Sequence, residues 1–144
     1  MPTYGDELLE ALASPIEAGL IKVVSEGPVA AGLEAAFPFS GSKIDWSAVA
    51  GHDRAVETHP NEHTDFLEFF ARHARRLGAG NEAFYLCDGP WDFVLSATLF
   101  TFERHLPLFI TVPAHHYFIS QDFSWCMVYT MEGDIDFGRS LFSA

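Results

Sequence analysis

Residues 115–138 read HHYFISQDFSWCMVYTMEGDIDFG, and their alternation decides the fold. Apolar and polar side chains trade places along most of the stretch, the two-residue period of strands with unlike faces. Turn signals at Gln121-Asp122-Phe123 and Glu132-Gly133-Asp134 divide it into three strands. A three-residue loop at 132–134 pairs Met131 with Ile135 and Tyr129 with Phe137. Trp125, Met127, Tyr129, Met131, Ile135 and Phe137 then share one face. Carrying the pairing back through a three-residue turn adds Ile119, Tyr117 and His115 to that face. His116, Phe118, Ser120, Cys126, Val128, Thr130 and Asp136 take the other. The adjacent histidines therefore point opposite ways, which argues against their acting together.

Working outward, AFYLC at 83–87 reads as a short buried strand ended by the turn Asp88-Gly89-Pro90. In the following WDFVLSATLFTFERHL, Trp91, Leu95, Leu99, Phe102 and Leu106 form a stripe at helical spacing, which predicts a helix there. Pro107 and Pro113 bracket a connector. Upstream, Glu62–Leu77 predicts the strongest helix, with Phe66, Phe69, Phe70, Ala74 and Leu77 on one face, Asn61 as N-cap and Gly78 as stop. Helical patterns also cover 6–13 and 16–25, the second closed by Gly27-Pro28, and an Ala-rich third runs to about Phe37. Residues 37–43 read as a loop, and Asp45 or Ser47 opens one helical turn. Together these predict one α+β domain over 1–144, with N-terminal and central helices packed on an antiparallel sheet built from 83–87 and 115–138.

The 144-residue chain is 49% hydrophobic and 15% aromatic, ample for one core. Its 20 acids against 8 lysines and arginines give a net charge of −12. That field repels phosphate backbones and anionic lipid and favours a basic partner, so neither nucleic acid nor membrane is expected as a partner. Cys87 and Cys126 are too few for a disulfide framework or a zinc ribbon, and the acidic opening MPTYGDELLEAL lacks the basic segment of a signal peptide. Both features predict a reduced, cytoplasmic protein.

Three sets of residues have the types that site chemistry requires. His59 and His63 have the spacing of zinc ligands on a helix, but Pro60 and the cap at Asn61 leave His59 outside it. Cys126, beside Trp125 and near His115 and His116, has the types of a thiol nucleophile, yet a mid-strand cysteine among large apolar residues reads as packing. Glu132, Asp134 and Asp136 sit in and beside a hairpin turn, as a solvated acidic edge does. No Gly-rich phosphate loop or GxSxG elbow occurs.

Through FYLCDG at 84–89, HHYFIS at 115–120, QDFSW at 121–125 and EGDIDFG at 132–138, the C-terminal half of the chain resembles small acidic immunity proteins of bacterial toxin systems, including contact-dependent growth-inhibition immunity proteins. The resemblance implies a non-enzymatic binding protein that holds a cognate, basic toxin, often a nuclease, in the cytoplasm and needs no cofactor or metal. The expected binding surface is Asp88, Asp92, Asp122, Glu132, Asp134 and Asp136, at turns and strand ends, with Trp91 as an aromatic anchor. The alternatives are a small enzyme or metal-binding protein using His115 or His116 with Cys126 or an acid, and a homo-oligomeric structural protein that buries its aromatic surplus at an interface.

Overall fold

The three C-terminal strands lie within a larger antiparallel sheet. The computed structural model describes residues 3–140. In chain order these form α1 (Tyr4–Ala11), α2 (Ala13–Glu17), β1 (Lys22–Ser25), α3 (Glu26–Ala36), the hairpin β2 (Phe39–Ser40) and β3 (Lys43–Ile44), and a 3-10 turn (Trp46–Ala48). There follow β4 (Ala50–Val56), α4 (Thr64–Leu77), β5 (Glu82–Asp88), β6 (Phe93–Thr98), α5 (Leu99–Ile110), β7 (His115–Ser120), β8 (Trp125–Tyr129) and β9 (Asp134–Arg139). Seven strands form one sheet in the order β1-β6-β5-β7-β8-β9-β4, with every neighbouring pair antiparallel.

Strand alternation gives the sheet two apolar faces, and each is covered. On one, Tyr85, Leu95, Phe118, Met127, Tyr129 and Phe137 meet Phe66, Phe69 and Phe70 of α4, Phe102, Leu106 and Phe109 of α5, and Leu8 of α1. On the other, Leu86, Val94, Tyr117, Ile119, Cys126 and Val128 meet Val29, Leu33 and Ala36 of α3. Phe66, Phe70, Tyr85, Phe102, Phe109 and Phe118 are almost wholly removed from water. At about 2–3 kcal/mol for each buried large apolar side chain, this aromatic layer dominates the favourable terms. The α+β expectation holds, with helices on both faces.

Several local readings are corrected. The β8–β9 loop is Met131-Glu132-Gly133, one residue earlier than expected, because Gly133 takes φ +93° and closes a turn in which Thr130 N–H bonds the Asp134 carbonyl. Tyr129 therefore faces Ile135 and Met127 faces Phe137. A register shift of two keeps every face assignment but pushes Met131 into solvent, 59% exposed.

The β7–β8 turn is four residues long, which does change the faces. The Ser120 hydroxyl accepts from the N–H groups of both Ser124 and Trp125, and Phe123 adopts φ +59° with its ring against Gly32 of α3. Ile119 thus faces Cys126 and Phe118 faces Met127. His116, Phe118 and Ser120 share the α4–α5 side, while Tyr117 and Ile119 turn to α3.

Residues 22–25, expected in a helix, form strand β1 along β6, as β-branched Val23 and Val24 favour. Gly27-Pro28 opens α3 instead of ending its predecessor, since proline's missing N–H costs nothing in a first turn. The stripe from Trp91 to Leu106 is a strand joined to a helix at Thr98, whose hydroxyl caps α5 by accepting from Thr101 N–H. Pro107 lies inside α5, held by burial of Phe109 and Ile110 one turn on. The cap of α4 is also new: His63 takes the position, at φ +57°, with its imidazole bonded to the Tyr129 hydroxyl and not to the helix amides. The Glu57 carboxylate, arriving from the end of β4, accepts from Asp65 and Phe66 N–H instead. Among the described residues no helix is long and apolar enough to cross a membrane.

Candidate functional site

Antiparallel alternation brings the end of β5, the starts of β6, β7 and β9 and the β8–β9 loop to one end of the sheet. Asp88 pairs in register with His115 there. Asp92 precedes β6, and Glu132 and Asp134 lie at the β8–β9 turn, so four of the expected binding residues share this end. Asp122 does not. It sits at the opposite end, where Ser124 N–H bonds its carboxylate and hydrogen bonding with Ser124 holds its pKa below the ordinary value.

Two further expected residues belong to the framework. Asp136 is 2% exposed, bonded by His52 Nε2 at 2.7 Å and by the Arg54 guanidinium, which also reaches Asp134 at 2.6 Å. The sequence places Asp136 on an accessible acidic edge; the ladder turns it inward, and the adjacent edge strand supplies its cations. Trp91 is half-buried, stacked on Phe93 at 5.5 Å with its Cβ against Gly5 of α1. It is a packing residue in this arrangement.

On the α3 side, the acidic end opens into a groove of about 520 Å³. Glu26, Ala30 and Glu34 recur every four residues along α3 and form one wall; Phe39, Gly41 and Ser42 of the small hairpin form part of the other; Leu86, Asp88 and Tyr117 form the floor. The negative field is visible in its neighbours. Burial pushes the Cys87 thiol up to about 11, with the charges of Asp88 and Glu26 adding to the effect. Burial likewise pushes the Tyr117 hydroxyl up to about 12, with Cys126 and Asp88 contributing. Glu26, Glu34 and Asp88 have no ion-pair partner among the described residues, whereas Glu132 beyond the hairpin lies 3.9 Å from Lys43. An apolar floor under unpaired carboxylates suits a long cationic side chain. The sequence reading found Asp88 and missed Glu26 and Glu34, although their four-residue spacing through Ala30 was there to be read.

Of the groups in the alternative reading, neither histidine meets Cys126, while His115 lies 3.9 Å from the Glu132 carboxylate. His116 and Cys126 lie on opposite faces of the sheet. Cys126 is fully buried, and its thiol is pushed far up by burial, with no cation beside it. His116 donates from Nε2 to the Val112 carbonyl, so its Nδ1 accepts from the Tyr85 hydroxyl at 2.8 Å. Burial lowers its pKa to about 4, leaving a neutral ring inside the core. His115 accepts from Met131 N–H at the acidic end. The one cluster of three metal-ligating types within the described residues is Glu57, His59 and Asp65. Its carboxylates already accept the N–H groups of Thr58, His59, Asp65 and Phe66, and the Asp65 pKa falls to about 2 chiefly through Thr58.

Compared with known proteins, the chain matches no family model and no curated protein.

Proposed function

We propose that this chain is an acidic binding protein that neutralises a basic protein partner, an immunity protein that holds a cognate toxin in the cytoplasm. The observation that carries the reading is the groove of Glu26, Glu34 and Asp88, which carries unpaired negative charge above Leu86, Tyr117 and Phe39. A net charge of −12 steers a basic protein toward it from a distance, and the local carboxylates fix the final register. Asp92 adds charge at the same end of the sheet, where Glu132 and Asp134 already have Lys43 and Arg54 beside them, and the apolar floor receives the stem of an arginine or lysine. Inhibition then follows from covering the toxin's cationic surface and requires no chemistry from this chain.

The test is a pull-down from the source organism's lysate at low and at high salt. One basic protein should be recovered at low salt and lost at high salt. Expressing that protein alone should then arrest growth, and co-expressing this chain should restore it. A captured protein that is harmless, or whose toxicity the chain does not relieve, would overturn the immunity reading.

A further inference from the structure

The opposite end of the sheet carries a cavity of contrary character. Strand β1 begins at Lys22 opposite Ser96, so the last residues of β6, Ala97 and Thr98, have no partner on that side. The chain before β1 turns away at Gly19, in the left-handed region at φ +76°. The space left between α2, β6 and α5 is about 790 Å³, the size of a small-molecule cleft.

Two features of its walls lie outside the core. Leu20 and Phe100 line it and are 57% and 55% exposed. Lys22 and Arg104 also line it, and neither has an ion-pair partner among the described residues, in a chain with 20 acids. The Arg104 guanidinium lies 5.8 Å from the Phe100 ring centre, which joins charge and apolar surface in one patch. Glu82 is the one acid among the lining residues. The first N–H groups of α5 are spent on Asn81, Ala79 and Thr98, so recognition of charge falls to the Lys22 and Arg104 side chains.

We infer that this cavity binds a small amphiphilic monoanion, its charged head at Arg104 beside the free edge of β6, with Lys22 across that edge, and its apolar tail along Phe100 and Leu20. The charge complements the local cations, while the overall charge of −12 disfavours a polyanion more strongly than a singly charged molecule. The apolar walls account for the tail, since a bare anion would gain nothing from Phe100 and Leu20. This inference is independent of the acidic groove at the other end.

The probe is decanoate, kept below its micellar range and titrated into the ¹⁵N-labelled full chain at low salt, with decanol, acetate and decyltrimethylammonium in parallel. Decanoate should give saturable amide shifts centred on Lys22, Phe100 and Arg104, and should bind more tightly than any of the other three. The double variant K22Q/R104Q should weaken decanoate by about tenfold or more, the loss expected for charge-assisted hydrogen bonds, and leave decanol unchanged. F100S should weaken both. These side chains are exposed, so an unchanged thermal midpoint confirms that each variant is folded. Decanol, acetate or the ammonium compound binding as well as decanoate would overturn the inference. So would an absence of saturable shifts, shifts centred elsewhere, or affinity that survives K22Q/R104Q.

Discussion

The β4 edge and the α3 groove are both rich in acids, but the edge has spent its acids and the groove has not. Along β4 and β9, Asp136 is held by His52 and Arg54, Asp134 by Arg54, and Asp53 by Arg72 and His73. In the groove, Glu26, Glu34 and Asp88 face solvent over an apolar floor without a cation. Buried or paired carboxylates hold an edge strand on the sheet. The groove acids have no such partners, and in the proposed function they are the ones that meet the basic protein. Net charge alone does not separate the two populations.

The difference predicts a graded set of effects. The largest is at the edge: Asp136→Ala removes the buried carboxylate that His52 and Arg54 share, leaves Arg54 with Asp134 alone, and should lower unfolding free energy by about 3 kcal/mol, as measured by denaturant titration. A loss below about 1 kcal/mol would place Asp136 among the dispensable acids.

Next comes the buried histidine framework. His116 is neutral in the folded chain, because burial lowers its pKa from 6.5 to about 4, with the charges of His63 and His115 acting the same way and the Val112 hydrogen bond opposing them. In the unfolded chain it takes up a proton below its ordinary value. The native state is therefore undiminished above 6.5 and loses about 3 kcal/mol as pH falls toward 4. His73, between Phe69 and Phe137, shifts down for the same first reason, against the attraction of Asp53, and adds to the slope. Stability of the His116→Gln variant should vary visibly less over this pH range; an unchanged slope would assign the acid sensitivity elsewhere.

Glu57→Ala should cost about 2 kcal/mol, because the helix α4 loses the carboxylate that accepts from Asp65 and Phe66. Hydrogen exchange at those two amides gives the direct readout, and protection retained in the variant would show that another group caps the helix. The smallest effect belongs to the groove: the triple variant E26Q/E34Q/D88N should stay within about 0.5 kcal/mol of the parent.

What the sequence made legible follows from how local each signal is. Period-two alternation from 115 to 138 and the phenylalanine stripe of α4 are local patterns, and both elements are present. Face assignment across a turn depends on loop length alone: the shift of two at Gly133 was harmless, but the fourth residue of the turn at 121–124 inverted β7. The strand–helix join at Thr98 was hidden because Leu95 and Leu99 satisfy a helical stripe while Phe93, Leu95 and Ala97 satisfy an alternating one. Strands β1 and β4 were missed because edge strands draw their order from a distant neighbour, β6 or β9. The site was half legible for a related reason. Asp88, Asp92, Glu132 and Asp134 share one end, but the pairing that removes Asp136 joins residues more than eighty positions apart.

In the proposed binding mode the unpaired groove acids, and not the paired edge acids, meet the partner. One measurement tests it most directly: the low-salt pull-down repeated with the parent chain, with E26Q/E34Q/D88N and with Asp122→Asn at the opposite end, each confirmed folded by its thermal midpoint. The account predicts one basic protein recovered by the parent and by Asp122→Asn and absent from the groove variant. Recovery by the folded groove variant at the parent's level would contradict it.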